Sequence, residues 1–300
     1  MKKFLLLVTI FILVLSLLTA CGGNSANPSG SQGGNNGNNQ TQDNNVPDNT
    51  DITDKFTDPA FLACVREFAK KNEGAILASD VRKIGTMDLD KKDLKSLAGI
   101  EYLTSLTTFS CNDNQLTQLD ISKNLKLKYL KCRNNTLTAL DVSKNLALIS
   151  LDCGGNDLTA LDVSKNTELE SLYCNTAKLT GLDLSKNTNL KTIECTDNQL
   201  TALDVSKNTA LEYLTFDTNQ VTALDVSNNI SLKHIKCDKN QLTALDVSKN
   251  TELLNLYCMS NKLTALDVSK NTKLKALRIV DNPVSKEDVT GIIAGQTFVQ

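Results

Sequence analysis

The sequence has little of what enzymes and nucleic-acid-binding domains depend on. It contains one histidine and no tryptophan, and its net charge is only −2. No G-x-S-x-G, H-E-x-x-H or phosphate-cradling glycine loop is present, and no block of basic residues stands out. The single histidine, His234, has no acid or nucleophile at a spacing that would form a catalytic set. We therefore predict that the chain is not an enzyme, holds no cofactor and has no nucleic-acid partner.

A membrane-spanning helix is not expected either. The one long apolar run, residues 4–18, is too short for one and follows a basic start, which indicates a secretory signal over residues 1–20. It ends in Leu18-Thr19-Ala20-Cys21, which resembles a bacterial lipobox. That resemblance implies that a lipid on Cys21 anchors the exported chain in the cell membrane or outer membrane, facing the extracellular side. Cleavage of an ordinary signal near Ala20 is the alternative.

A polar segment separates this signal from the rest of the chain. After the cysteine, residues 21–53 are mainly Gly, Asn, Ser, Gln and Asp, with hardly any apolar side chain. Such a composition cannot bury enough surface to offset the entropy lost on ordering. We predict a disordered tether with a root-mean-square span of roughly 30 Å.

A 21-residue pattern organises most of the chain from Leu106 onward. It reads L-x-x-L-x-C-x-x-N-x-L-T-x-L-D-V-S-K-N-x-x, and no insertion interrupts it. Its first leucines are Leu106, Leu127, Leu148, Leu169, Leu190, Leu211, Leu232, Leu253 and Leu274. The segment L-x-x-L-x-L-x-x-N-x-L is the leucine-rich-repeat signature, here with cysteine at the third apolar position. The chain resembles the short bacterial 21-residue class called IRREKO, which implies a leucine-rich-repeat solenoid.

Each repeat contains two nested halves, because its second half, L-x-x-L-x-V-x-x-N, echoes the first. In an extended chain alternate residues point inward, so Leu130 with Cys132, and Leu140 with Val142, would fill the core. We predict mainly parallel β ladders on two sides of each short coil over residues 84–282, with almost no helix.

The array needs a cap at each end, because one coil cannot bury enough on its own to fold. Over residues 54–83 the apolar spacing predicts a helix with Asp58 as its N-cap and Pro59 at its first position. The 22-residue coil that begins at Ile84 resembles the internalin-type repeat of bacterial surface proteins. This resemblance implies an architecture and a cell-surface setting, and it names no ligand.

Residues 283–300 should form a short C-terminal cap. Pro283 breaks the repeat pattern there. Ser285 and Asp288 have the spacing of a capping box, which favours a short closing helix.

Seven cysteines share one repeat position: Cys111, Cys132, Cys153, Cys174, Cys195, Cys237 and Cys258. Phe216 and Ile279 take that position in two other coils, as expected for a core site. Stacked parallel strands hold such residues about 4.8 Å apart, whereas a disulfide needs Cβ atoms about 3.8 Å apart. We therefore predict buried free thiols that act as small hydrophobic residues, with some disulfides or a metal as the alternatives.

An asparagine column accompanies the cysteines, at Asn114, Asn135, Asn156, Asn198, Asn219, Asn240, Asn261 and Asn282. Inward amides in such coils are expected to bond the backbone groups left unpaired at each turn. Ala177 interrupts the column, so we expect local loosening or a bound water there.

Two further patterns could be mistaken for metal sites. One is a row of aspartates in the second half-repeats, at Asp120, Asp141, Asp162, Asp183, Asp204, Asp225, Asp246 and Asp267. Single-sided carboxylates make a poor calcium site, so we interpret this row as solvated and bonded to its own turns. The other is the loop 71–80, which resembles an EF-hand loop but has Ala69 and Lys71 where the first two ligands belong. We predict no metal site.

The outward positions of the first half-repeat vary from coil to coil, whereas the second half is nearly constant. The variable positions include Tyr129, Lys131, Arg133, Asp152, Tyr173, Tyr213, His234, Lys236, Tyr257, Met259 and Arg278. Tyr and Arg dominate binding hot spots. With Asp217 and Asp238, which share this surface, the outward positions together are nearly neutral. We predict a surface-anchored recognition or adhesion module that binds an extracellular protein, peptide or glycan. A passive structural or display solenoid is the alternative.

Overall fold

One short strand from each coil joins a parallel sheet that runs along the solenoid. The structure is a computed structural model and describes residues 46–292 and 297–299. The strands are β1 Thr86–Asp88, β2 Thr108–Ser110, β3 Tyr129–Lys131, β4 Ser150–Asp152, β5 Ser171–Tyr173, β6 Thr192–Glu194, β7 Tyr213–Thr215, β8 His234–Lys236, β9 Asn255–Tyr257, β10 Leu266–Asp267, β11 Ala276–Arg278, β12 Val289–Thr290 and β13 Thr297–Val299. The helices are α1 Pro59–Ala69 and α2 Ala78–Val81, with 3-10 turns at Thr53–Lys55 and Ile100–Tyr102. The main sheet has the order β1-β2-β3-β4-β5-β6-β7-β8-β9-β11-β13.

Equivalent residues of successive repeats pair across this sheet. Leu130 lies opposite Leu151, a separation of 21 residues that recurs from β2 through β11. Between β1 and β2 the separation is 22 residues, with Thr86 opposite Thr108. Each repeat therefore closes one turn, and the predicted leucine-rich-repeat solenoid is confirmed.

The inward positions form continuous apolar columns from one cap to the other. In the coil that begins at Leu127, the side chains of Leu130, Cys132, Leu137 and Val142 are fully buried. All of them belong to one core cluster that includes both caps. Burying a side chain of this size contributes about 1.5–3 kcal/mol. Because its neighbours above and below provide that burial, each coil depends on the coils beside it.

The second side of each coil is extended but has fewer backbone bonds than the first. The amide of Asp157 donates to the Leu137 carbonyl at 2.9 Å, and one such bond joins most other coils. Strand pairing on this side is confined, among the described residues, to β10 with β12. Other backbone amides on this side donate to side-chain oxygens. Leu137 N donates to Asn156 Oδ1 at 3.1 Å, and Ser143 N donates to Asp141 Oδ1 at 2.8 Å. The coils are two-sided as predicted, but side-chain acceptors carry much of the second side.

The asparagine column beside the cysteines bridges neighbouring coils, as predicted. Asn135 Nδ2 donates to the carbonyl oxygens of Cys111, in the preceding coil, and of Cys132, in its own coil, both at 3.0 Å. Its Oδ1 accepts from the amide of Leu116 at 3.0 Å. One side chain therefore satisfies three backbone groups and fixes the offset between two coils.

Ala177 interrupts this column without interrupting the coil. Strands β5 and β6, which precede and follow it, keep the 21-residue register. The Leu179 amide donates to Asn198 Oδ1 at 3.1 Å, whereas the equivalent amide of Leu158 has no side-chain acceptor in the described part of the chain. The expected loosening is local: the carbonyls of Cys153 and Cys174 keep donors in Asn156 and Asn198, both at 2.9 Å, and only the Leu158 amide loses the acceptor that this column would supply.

A second asparagine column, whose role the repeat pattern did not reveal, lies in the other half of each coil. Its fully buried members are Asn124, Asn145, Asn166, Asn187, Asn208, Asn229, Asn250 and Asn271. Asn166 Nδ2 donates to the carbonyls of Val142 and Asn145 at 3.0 and 2.9 Å. The Oδ1 atoms of the column have no protein donor among the described residues. These amides tie each coil to the one before it.

The cysteine column lies in the core, as predicted. All seven side chains are fully buried free thiols. Burial raises the pKa of Cys195 and Cys258 to about 12. The nucleophilic thiolate is therefore scarce at neutral pH, and these thiols act as packing groups.

The predicted N-terminal helix is confirmed as α1. One side-chain oxygen of Asp58 accepts from the amides of Ala60 and Phe61 at 2.9 and 3.3 Å, and a proline occupies the first helical position. The other oxygen accepts from the amide of Lys95 at 2.9 Å. Asp58 therefore caps the helix and also ties it to the first coil.

The ordered cap begins earlier than the sequence predicts. Asp51 forms an antiparallel bridge with Leu77, and the neighbouring Ile52 is buried. One isoleucine at the end of a polar segment is thus enough to hold that end against the cap. Residues 1–45, which include the predicted signal, Cys21 and most of the predicted tether, lie outside the described residues.

The predicted closing helix is wrong. Ser285 Oγ does bond Asp288 Oδ2 at 2.6 Å, but the next residues form β12 beside β10, and β13 then pairs with β11. Val289 and Thr290 are β-branched, which favours strand, and the last coil offers unpaired backbone groups. Strand pairing on the last coil therefore outweighs the local capping signal.

Placing an asparagine side chain at position 177, where the column has alanine, should stabilise the array. In Ala177→Asn the new Oδ1 can accept from the Leu158 amide, so the free energy of unfolding should rise by about 1 kcal/mol. Urea denaturation followed by circular dichroism measures this change. The matched variant Asn156→Ala removes the equivalent acceptor for Leu137 and should lose about 1–3 kcal/mol. A neutral or destabilising Ala177→Asn would contradict the role given to this column.

The cysteine column should tolerate apolar replacements better than a polar one. Cys174→Ser buries a hydroxyl group in an apolar column and should lower the free energy of unfolding by about 1–3 kcal/mol. Cys174→Val should lose less, since Phe216 and Ile279 already occupy this position. Both values come from the same urea titration under reducing conditions. If serine is tolerated as well as valine, the column is not a purely packing element.

Candidate binding face

The outward side chains of the main sheet form one surface, here called the first-strand face. It consists of the first and third residues of strands β2 to β9 and β11, together with the residue two positions further along. All the predicted site residues lie on it: Tyr129, Lys131 and Arg133 at β3, Asp152 at β4, Tyr173 at β5, Tyr213 at β7, His234 and Lys236 at β8, Tyr257 and Met259 at β9, and Arg278 at β11. Their part in binding stays a prediction.

The structure divides these residues into separate groups. Adjacent strands are about 4.8 Å apart, so only residues from neighbouring coils are in contact. Tyr129 and Lys131 on β3 are four coils from Tyr213 on β7, which is roughly 19 Å. The side chains between Tyr213 and Arg278, by contrast, come from four successive coils and lie close together.

Tyr213 and His234 form a stacked pair on this face. Their ring centroids are 4.7 Å apart, and their planes differ by 7°. Asn255 Nδ2 lies 2.7 Å from His234 Nδ1. Burial, and then the charges of Lys236 and Lys233, lower the pKa of His234. The imidazole is therefore mainly neutral at pH 7, and its Nδ1 can accept from the amide of Asn255.

Tyr257 lies between two cations. Lys236 and Arg278 are its register partners in the coils before and after it. Lys236 Nζ is 5.6 Å and Arg278 Cζ 4.8 Å from the centroid of its ring. A tyrosine ring attracts cations over its faces, so Tyr257 holds both groups in place.

Two carboxylates lie beside these rings, partly removed from water. Asp217 Oδ1 accepts from the amide of Asp238 at 2.8 Å, and Asp238 Oδ1 accepts from the amide of Met259 at 2.7 Å. Burial raises the pKa of Asp217 to about 6, and it also raises the pKa of Asp238. Asn112 and Asn175 make the same bond to the next coil from equivalent positions, at 2.7 and 2.8 Å. This hydrogen bond between coils therefore has a structural role that a neutral asparagine can also fill, and the negative charge of Asp217 and Asp238 is not needed for it.

The middle of the face is acidic, and one of its residues was not predicted. Glu194 on β6 accepts from Asn175 Nδ2 at 3.2 Å. Burial raises the pKa of Asp152 and of Tyr173 on the neighbouring strands. The sequence could have identified Glu194 as a residue of this face, since it occupies the same repeat position as Tyr173 and Lys236.

No group of three or more His, Cys, Asp or Glu side chains in the described part of the chain is arranged to hold a metal ion. The aspartate row bonds its own turns, as predicted: Asp162 Oδ1 accepts from Ser164 N at 2.8 Å, which lowers the pKa of the carboxyl. In the EF-hand-like loop, Asp80 pairs with Lys71 at 2.7 Å. Among the described helices, none has the length and apolar character needed to cross a membrane.

Comparison with solved structures places this geometry among known folds. The functional domain of InlJ from Listeria monocytogenes, which includes a cysteine ladder, is 35% identical over 83% of this chain, with a TM-score of 0.70. The chain spans 61% of that InlJ domain. Internalin C2 from the same organism is 22% identical, with a TM-score of 0.66 over 69% of this chain and 96% of its own. The plant peptide hormone receptor RGFR1, in complex with RGF2, is 18% identical, with a TM-score of 0.61 over 69% of this chain and 38% of its own.

No protein-family profile matches the chain. The 21-residue register of its parallel sheet, its continuous apolar core and its caps define a leucine-rich-repeat solenoid. The solved structures that it resembles include bacterial internalins. Nothing among these relatives indicates a catalytic family.

Replacing Asp217 by asparagine should change how stability depends on pH. Because the folded pKa, about 6, exceeds the ordinary value of 3.8, the folded state binds the proton more tightly, and stability falls as pH rises from about 4 to about 6. Asp217→Asn keeps the acceptor for the Asp238 amide without the charge. The variant should be more stable at pH 7.5, by about 1 kcal/mol given the partial solvent screening, and equal to the parent near pH 4.

The control variant, Asp204→Asn, should change stability in the opposite direction. Bonds from Ser206 lower the pKa of Asp204, so Asp204→Asn should lose stability at pH 7.5. Urea midpoints across the pH range compare the variants. If Asp217→Asn is less stable than the parent at pH 7.5, the desolvation of Asp217 is not the dominant effect.

Proposed function

We propose that the chain is a surface-anchored recognition module that binds an extracellular protein, peptide or glycan through the first-strand face. The observation that carries this proposal is the contrast between the two outward surfaces. Side chains on the second half-repeats recur almost unchanged, while no two coils present the same combination of three side chains on the first-strand face. Outward positions are free of core packing, so diversity confined to one of two exposed surfaces favours a role in contact with a partner.

The architecture of the face supports this proposal. Its side chains stand on rigid strands, which present groups more precisely than loops do. Tyr213, His234 and Tyr257 are held by stacking and cation contacts before any partner arrives. Ordered aromatic and cationic groups of this kind are those that anchor protein interfaces.

The setting at the cell surface rests on the ends of the chain and on its likeness to internalins. Cys21 would carry the lipid, and the polar segment after it would hold the solenoid near the membrane surface, on the extracellular side. The likeness to InlJ supports a bacterial surface protein of this architecture. The plant receptor in complex with RGF2 is an example of this fold with a bound partner.

A passive display solenoid is the second candidate, and one observation favours it. Lys191 Nζ pairs with Glu170 at 2.8 Å and Lys233 Nζ with Glu212 at 2.6 Å across adjacent coils. Such exposed pairs contribute about 0–1 kcal/mol each and mainly keep a surface soluble. They lie at one edge of the face, however, and do not account for the tyrosines at its centre.

A binding screen with a matched pair of variants tests the proposal. The full chain, purified in non-ionic detergent, is screened against arrays of glycans, matrix proteins and intact cells. In the triple variant with Tyr173, Tyr213 and Tyr257 each changed to Ser, affinity for any target found should fall at least about tenfold, because three aromatic contacts are lost.

The control changes Thr159, Thr201 and Thr243 to Ser on the second half-repeats and should bind as the parent does. Circular dichroism verifies that both variants remain folded. Undiminished affinity in the tyrosine variant would remove the site from this face. A screen without any target would favour the passive solenoid.

A further inference from the structure

Charge is segregated along the first-strand face, although its outward positions together carry four basic and four acidic side chains. In the first half-repeats at 232–241, 253–262 and 274–283, six basic side chains oppose two acidic ones. In the first half-repeats at 148–157, 169–178, 190–199 and 211–220, two basic side chains oppose seven acidic ones. The former group of three coils is called the basic end. A chain with a net charge of −2 therefore presents a cationic surface over these three coils, as it also does at the half-repeat 127–136, which has three basic side chains and no acidic one.

Two exposed cations of the basic end contact a tyrosine ring and form no direct ion pair in the described part of the chain, although their charges partly offset the rise that burial causes in the pKa of the neighbouring Asp238. Neither Lys236 nor Arg278 forms an ion pair among the described residues, whereas Lys233 pairs with Glu212 at 2.6 Å. The nearby carboxylate of Asp238 is directed to the Met259 amide at 2.7 Å. Tyr257 fixes both cations at 5.6 and 4.8 Å from its ring centroid, which limits the side-chain entropy that a ligand would have to remove.

The aromatic surfaces of the basic end are already covered. Lys236 and Arg278 approach Tyr257 from the coils on its two sides, and Tyr213 and His234 cover one face of each other. A sugar ring needs an open aromatic face to stack on, and Tyr257, the tyrosine of the basic end, has a cation on each side. Charge and hydrogen bonding are what the basic end has left to offer, and this favours an acidic polypeptide over a glycan.

We propose that the basic end binds an extended, acidic segment of a polypeptide partner, with carboxylates on Lys236 and Arg278. This deepens the proposed function and rests on it. The two cations come from coils two apart, which is roughly 10 Å. This interval matches one three-residue turn of a polyproline II segment, whose side chains i and i+3 lie on the same side about 9 Å apart. A segment lying along the solenoid axis with acidic side chains at that interval would engage both cations. The guanidinium of Arg278 can bind a carboxylate in bidentate fashion, and Lys236 adds a point charge.

The test uses a fluorescein-labelled peptide of ten glutamates, titrated with the full chain in non-ionic detergent at low ionic strength. Fluorescence anisotropy reports binding. In the double variant Lys236→Ala with Arg278→Ala, the dissociation constant should rise at least about tenfold, since two charge-assisted contacts are lost. The affinity of the parent should also fall as NaCl is raised. A peptide of ten lysines should bind more weakly.

A second double variant removes the same charge elsewhere. Lys144→Ala with Lys165→Ala lies on the second half-repeats and should change the dissociation constant less than about twofold when all variants are compared at an ionic strength of about 0.1 M, where the screening length is about 10 Å. Both double variants are checked for unchanged urea midpoints, so that a loss of binding is not a loss of fold. Heparin is titrated in parallel as a sulfated polysaccharide.

Three results would overturn the inference: no binding of the glutamate peptide, equal losses in the two double variants, or a preference for heparin that depends on Lys236 and Arg278. Each is distinguishable from failure of the proposed function. A screened target that is lost in the tyrosine variant but retained without Lys236 and Arg278 would leave the recognition face in place and remove only its basic end as the acidic-peptide site.

Discussion

The outward-facing chemistry of this solenoid depends on buried asparagine amides. In one column Asn135 joins two carbonyls and one amide from adjacent coils, and in the other Asn166 joins two carbonyls. A buried amide that spans two coils fixes their offset, because a shift of one residue would leave polar groups unpaired in the core. Leucine and cysteine supply most of the free energy of folding and oppose the same shift, which would turn them outward. The amides add directional bonds to that preference. The alignment of Tyr257 between Lys236 and Arg278 follows from that constraint.

Cooperation between coils also explains the ends of the molecule. Asp58 serves α1 and the first coil at once. At the far end β12 pairs with the second side of the coil that begins at Leu253, and β13 pairs with the first strand of the coil that begins at Leu274. Each cap provides the neighbour that a terminal coil otherwise lacks, as expected when stability comes mainly from contacts between nearest neighbours. The caps differ in structure because each has to match only one coil.

Much of the fold could be predicted from the 21-residue period, since any residue that recurs at that interval must occupy one column. The core position of Cys132, the bridging role of Asn135 and the turn bonds of Asp162 all follow from it. The closing helix was wrong because Ser285 and Asp288 were weighed locally, without the open edge of the last coil. The second asparagine column was visible as the last N of the same period, but its bridging role was not recognised. The partial burial of Asp217 could not be predicted, since it depends on how closely coils approach. Glu194 and the segregation of charge were visible in the sequence but lost when the face was considered as one neutral set.

The uniform spacing has a consequence for how such a surface can change over generations. Because every coil bonds only to its neighbours, and in the same way, removing or duplicating one whole coil's worth of codons in frame would bring two compatible coils together and leave both ends intact. A gene of this kind can lengthen, shorten or reorder its outward rows by recombination between near-identical segments. The nearly constant second half-repeats provide the similar sequence that recombination needs. The outward side chains of the first-strand face are then exchanged as whole coils.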